Sequence, residues 1–261
     1  MITALWNYKN FIIGLVKKDF KTKYLNSVLG SLWTIIHPLT FIIIYTVIFA
    51  NVMSAKLPGI NDVFAYSIYL CAGLLTWNFF AETCQRMVSV FLDNRNILTK
   101  VNFPKITLPV YIVVTTTMNF LIIFCIFLLF LIISNQFPYE TILYIIPLLI
   151  VQIILSASFG FILGILNVFF RDIGHFLSLG LQFWFWLTPI VYVKDILPDW
   201  TYSILNYNIM FPIINGYQNI LLYNKIPDFN SILVVFIISV ILMLIGFYIY
   251  KKLLSEMVDE L

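Results

Sequence analysis

Charge is scarce in this sequence: of 261 residues, 10% are Asp, Glu, Lys or Arg, against 62% that are hydrophobic. No polar stretch is long enough to fold into a soluble domain, so the chain reads as one integral membrane domain of spans and short connections. The net charge of +3 is too small to suggest a nucleic-acid partner. Histidine is limited to His37 and His175, in different segments, so His-Glu-x-x-His is excluded, and no carboxylate cluster takes its place. Cys71, Cys84 and Cys125 lack metal-ligand or redox spacing and read as small buried hydrophobes. Without a Gly-Lys pair there is no Walker A loop, which excludes ATP hydrolysis by that route. Gly-x-Ser-x-Gly is missing too, so the residues assign neither a catalytic group nor a metal ligand.

What is abundant is apolar length. A helix crosses the hydrocarbon core with roughly 20 apolar residues, and six segments qualify: Leu29 to Val52, Val63 to Val90, Ile106 to Ile133, Thr141 to Phe169, Ile173 to Val193 and Ile232 to Tyr250. The fold expected is therefore an all-α integral membrane protein with six transmembrane helices. An even count puts both termini on one side. Placing them in the cytoplasm puts twelve of the 15 Lys and Arg inside and leaves Lys56, Lys194 and Lys225 outside. No Asp, Glu, Lys or Arg falls mid-span, which disfavours ion-coupled transport. Glu82 and Arg86, four apart near an inner helix end, read as a local ion pair. Gly160 and Gly164 in the fourth span permit close helix contact.

The segments outside the spans carry their own patterns. Residues 1–28 mix lysines with apolar residues and lack the continuous apolar core of a signal peptide. Lys17, Lys18 and Lys21 gather on one helix side, with Leu5, Ile12, Leu15 and Val16 opposite and Lys9 and Lys23 as exceptions. That pattern predicts an amphipathic helix lying in the headgroup plane, its basic face toward anionic lipid or a cytoplasmic partner. "LDNRNILTKVNFPK" sets Ile97, Leu98, Val101 and Phe103 among basic residues, which suits either a short amphipathic docking helix or an ordinary polar loop. Residues 194–231 are too apolar for a loop and predict short re-entrant helices on the outer face.

"LQFWFWLTPIVY", residues 181–192, holds five aromatic rings. On a helical wheel, Arg171, Gly174, His175, Ser178, Gln182, Phe185, Trp186, Pro189 and Tyr192 share one arc, while Phe183 and Trp184 fall outside it. A stripe containing Gln182 must face protein or water, because an amide in hydrocarbon is costly. It is either a helix-contact seam or a pore wall. Rings with amides suit a sliding carbohydrate, whose C–H faces pack on aromatics while its hydroxyls exchange hydrogen bonds. Gln182, Phe185, Trp186, Tyr192 and Ser178 are the path candidates, with Trp33 and Trp77 weaker ones.

Five stretches together resemble the permease subunits of ABC-2 type exporters, in the branch that moves polysaccharides such as O-antigen, capsule and teichoic acid. They are "KKDFKTKYLNSVLGSLWTIIHPL" (17–39), "YLCAGLLTWNFFAE" (69–82), "NRNILTKVNFPKITLP" (94–109), "NVFFRDIGHFLSLGLQFWFWLTPIVY" (167–192) and "NIMFPIINGYQNILL" (208–222). The resemblance implies a homodimer enclosing the channel, each copy docked on a cytoplasmic ABC ATPase whose dimer binds ATP and Mg; this chain itself needs no cofactor. It implies that Asn94, Arg95, Ile97, Leu98, Lys100, Val101 and Phe103 form the ATPase coupling segment, with the N-terminal helix nearby. Arg171 and Asp172 match the family pattern and, with the less diagnostic His175, make the candidate inner gate. The function expected is a non-enzymatic permease that moves a lipid-linked polysaccharide, O-antigen first, across a prokaryotic plasma membrane. A small-molecule or drug exporter and a membrane-embedded glycan-assembly enzyme are the alternatives. A six-helix bundle leaves little lumen for a polymer, which supports a second copy independently.

Overall fold

Backbone in hydrocarbon has to satisfy its own hydrogen bonds, and a chain this apolar does so by forming helices. The computed structural model describes residues 6–23, 30–48, 64–100, 103–194 and 198–260, and all regular structure among them is helical. In chain order the helices are α1 (Lys9–Lys23), α2 (Trp33–Thr46), α3 (Ala65–Asp93), α4 (Arg95–Lys100), α5 (Thr107–Ile133), α6 (Ile145–Phe169), α7 (Ile173–Trp186), α8 (Asp199–Tyr207), α9 (Met210–Leu221) and α10 (Phe229–Asp259).

α3 is the central element. It packs against α2, α5, α6, α7 and α9, and α6 in turn carries α10. The approach of α6 to α3 depends on two glycines. A Cβ on Gly160 would lie 2.8 Å from the Met87 Cβ, and one on Gly164 only 2.6 Å from the Met87 carbonyl oxygen. No side chain larger than hydrogen fits there without a shift of backbone. Several polar groups inside the bundle are paired: Thr76 and Thr83 bond carbonyls one turn back, Thr83 reaches Thr116 at 3.0 Å, and Gln152 Nε2 donates to the Thr76 carbonyl at 2.8 Å.

The expected count of six spans is corrected. Among the described residues, three helices are long and apolar enough to cross a membrane: Thr107–Ile133, Ile142–Phe169 and Phe229–Met257. The other three segments fall short for different reasons. α3 has the length, at 29 residues, but Thr76, Asn78, Glu82, Thr83, Gln85 and Arg86 make it too polar, a composition its central position tolerates. α7 is helical for 14 residues, about 21 Å against a core of about 30 Å. Pro189 ends it by removing a backbone donor and by restricting Thr188 before it. α2 is likewise 14 residues long.

Both ends of the described chain meet at one end of the bundle. Phe11 and Leu15 of α1 pack on a cluster built from Met87 and Phe91 of α3, Leu98 of α4, Phe103, Ile165 of α6, and Tyr250 and Met257 of α10. The elements that share this cluster carry exposed Lys9, Lys17, Lys18, Lys21, Arg95, Lys100, Lys251 and Lys252, and exposed Arg171 follows α6 in the turn to α7. In α1, Ile12 and Val16 are buried while Lys17, Lys18 and Lys21 are exposed. Residues 194–231 contain α8 and α9, and α9 is buried against α3 and α6.

Candidate functional site

α7 is short and lies along α3 and α6, burying only Leu177 and Leu181. Its remaining surface includes the stripe. Arg171, Asp172, His175, Ser178 and Gln182 are exposed, Trp186 is 59% exposed, and Phe185 and Tyr192 are half-buried. Ser178 turns its hydroxyl back to the Gly174 carbonyl at 3.0 Å. The rings form a chain: Trp77, buried on α3, lies 5.8 Å from Phe185, which lies 5.3 Å from Trp186, whose carbonyl accepts from the Tyr192 hydroxyl at 2.8 Å. Trp33 stands on another helix, α2, and is 41% exposed. Outside the stripe, Trp184 packs into α3 and α6, within 6.0 Å of Trp77, Phe80 and Phe159. Phe183 is 72% exposed, so in the single chain both Gln182 and Phe183 are accessible. A groove of about 350 Å³ separates α7 from α6, lined by Phe159, Leu163, Phe176, Leu177, Gly180 and Trp184 among others.

The chain beyond α7 is where further residues enter. Leaving the helix at Leu187 frees carbonyls, and side chains from other elements take them. The Tyr66 hydroxyl donates to Val191, Tyr69 donates to Pro189 and Tyr192 at 3.2 and 3.1 Å, and Gln218 Nε2 donates to Pro189 at 3.4 Å. Asn208 holds three elements together, accepting from Trp184 Nε1 at 2.9 Å and from the Met210 amide at 3.0 Å, and donating to Thr188 Oγ1 at 2.8 Å. Tyr66, Tyr69, Asn208 and Gln218 were absent from the sequence candidates. Pro189 was the available signal, because a proline after an apolar run demands donors from elsewhere.

At the basic end, Asn94 caps α3, its Nδ2 donating to the Val90 carbonyl at 2.8 Å, and its own carbonyl receives the amides of Ile97 and Leu98 at 3.0 Å. The short α4 turns Leu98 inward and leaves Arg95 and Lys100 outward, with Ile97 half-buried. Phe103 is buried and packs at a tilt against Phe11 of α1, ring centroids 5.1 Å apart; Val101 lies outside the described residues. The turn into α7 is fixed by Asn167, which donates to the Val88 carbonyl at 2.9 Å and accepts the Gly174 amide at 3.1 Å. Arg171, Asp172 and His175 thus stand together at the start of α7. Arg86 meets Glu82 at 3.8 Å, as the spacing suggests, but bonds Asp19 of α1 more closely at 2.8 Å. Among the described residues, no group of three His, Cys, Asp or Glu could hold a metal ion.

The family model for the ABC-2 type transporter matches residues 11–222, which takes in every helix but α10 and the first two residues of α1. The chain belongs to the ABC-2 type transporter family. Relatives of this ABC-2 permease include two proteins of Klebsiella pneumoniae, each named "O-antigen export system permease protein RfbA". They are 31% and 30% identical over 245 residues, covering 94% of this chain and 92% of the relative. A protein of the same name from Myxococcus xanthus is 28% identical over 263 residues, covering 100% of this chain and 99% of its own length. The family membership makes this chain a multi-pass α-helical membrane protein related to polysaccharide export permeases, and it ties the fold to a class of transporters that work with an ATPase.

Proposed function

We propose that this ABC-2 permease is the membrane subunit of an ATP-driven exporter that carries a lipid-linked polysaccharide, O-antigen first among them, across a prokaryotic plasma membrane. The observation that carries the reading is the exposed stripe of α7. This helix lies beside the membrane-spanning α6, yet it presents Ser178, Gln182 and Trp186 outward. An amide at that depth needs protein or water. Two copies facing each other across α7 would enclose a path lined by Ser178, Gln182, Phe185, Trp186 and Tyr192, with Trp77 supporting Phe185 and Trp33 a weaker contributor. Arg171, Asp172 and His175 would stand at its inner mouth. Flat rings and one amide offer a glycan many weak contacts, which let a polymer move where one tight site would hold it.

The basic end of the bundle is the cytoplasmic one in this reading, since lysine and arginine are retained on that side. It carries α1, the C-terminal turns of α10, and the coupling segment Asn94 to Phe103, whose outward Arg95 and Lys100 would meet a separate ATPase dimer that binds ATP and Mg. The whole chain acts as one transmembrane unit.

Cysteines introduced singly at Gln182 and Phe183 test the path. Both sites are accessible in the single chain, so only assembly can tell them apart. In the assembled transporter a water-soluble thiol reagent labels position 182 and not 183; equal labelling removes the path assignment. At the level of the cell, loss of the chain should trap glycan of normal structure inside without altering drug sensitivity. A changed drug sensitivity with normal surface glycan would point to small-molecule export instead.

A further inference from the structure

Arg86 joins three helices through one guanidinium. Its Nη2 donates to Asp19 Oδ1 of α1 at 2.8 Å, its Nη1 lies 3.8 Å from Glu82 Oε1, and Glu82 Oε2 accepts from Asn119 Nδ2 of α5 at 3.0 Å. The side chains of Arg86 and Asp19 are 25% and 27% exposed, so the pair is neither freely solvated nor sealed. An ion pair of this kind holds better than a surface one and can still be broken and remade. A lysine could not replace the arginine, because a single ammonium cannot serve two carboxylates on different helices with the same fork.

α1 has a second attachment. Phe11, about two turns before Asp19, packs its ring against Phe103. One hold is therefore the residue that ends the Asn94 to Phe103 segment. The other is α3, about two turns before the same segment begins. Fixed at two heights, α1 cannot roll about its own axis independently of the segment.

We propose that Asp19 and Arg86 are positioning residues that clamp α1 to α3, so that a displacement of the Asn94 to Phe103 segment swings α1 with it. The proposal rests on the reading of that segment as the ATPase docking element. Without the clamp, the segment would still dock and ATP would still be hydrolysed, but α1 would lag behind.

The test uses the assembled transporter in its membrane. D19R and R86D singly lower surface glycan roughly fivefold to tenfold, with the permease at normal abundance and ATP hydrolysis retained; the double variant D19R/R86D restores most of the export. Spin labels at Lys17→Cys and Asn96→Cys, both exposed positions, give one narrow distance that broadens in the milder Asp19→Asn. Charge reversal at the exposed Arg95 and Lys100, R95E/K100E, serves as the control on docking. Lost export in R95E/K100E beside normal export and an unchanged distance in Asp19→Asn overturns the clamp alone, as does a double variant no better than the singles. Normal export in R95E/K100E overturns the docking reading instead, whatever the ion pair does.

Discussion

α3 and α7 run side by side, and they are finished to different degrees. Eighteen of the 29 residues of α3 are buried, against two of the 14 in α7, so one helix is complete within the single chain and the other is not. Polar groups show the same contrast. Thr76, Thr83 and Glu82 have partners on neighbouring helices or one turn back, whereas Gln182, Arg171 and His175 stand exposed. A polar residue in a central helix is a packing matter, settled by its own chain. The same residue on an outer helix is a statement about something yet to arrive.

The largest effect is expected where the interior is tightest. Gly164→Leu drives a side chain into the Met87 carbonyl and should lower stability by roughly 1–3 kcal/mol or more, read as an earlier unfolding midpoint in denaturing detergent. If the midpoint holds, α3 and α6 are less closely packed than their geometry shows. Next comes Asn167→Ala, which removes a second bond from the Val88 carbonyl and the side-chain acceptor of the Gly174 amide at a cost of about 1–3 kcal/mol. Ser178→Ala, whose hydroxyl bonds only its own helix, is its counterpart on α7 and should stay within about 0.5 kcal/mol in the same assay. Smallest is Gly180→Ala. A Cβ there meets open space, so stability should be unchanged or raised slightly by helix propensity. The bulkier Gly180→Trp sharpens the contrast: the chain should fold normally, and a fall in self-association measured by crosslinking would show that a second copy covers α7.

Much of this was legible in the residues, and the parts that were not have identifiable causes. The helical class and the amphipathic α1 follow from periodicity, which reports a face directly, whereas the apolar set around Leu98 was compatible with either a helix or a loop. Span number did not follow, because apolar runs mark length of sequence rather than length of helix. Pro189 cut one run at Trp186, and the polar residues of α3 made another unfit to face lipid. A wheel separated Trp184 from Phe185, but it could not say that Trp184 would be held by Asn208, since that bond joins residues far apart in sequence. Likewise the i,i+4 spacing of Glu82 and Arg86 was visible, while Asp19, the closer partner, lay 67 residues away.

The turn after α7 has a consequence for how the chain enters the membrane. Its carbonyls are claimed by Tyr66 and Tyr69, which are made some 120 residues earlier. A 14-residue helix is too short to be released into the bilayer on its own hydrophobicity. α7 therefore relies for its place on contacts with α3 and α6, both of which precede it in the chain. Tyr66→Phe and Tyr69→Phe together would leave the mature apolar packing almost untouched, yet should delay or misdirect the insertion of everything after residue 186, a defect of biogenesis rather than of transport.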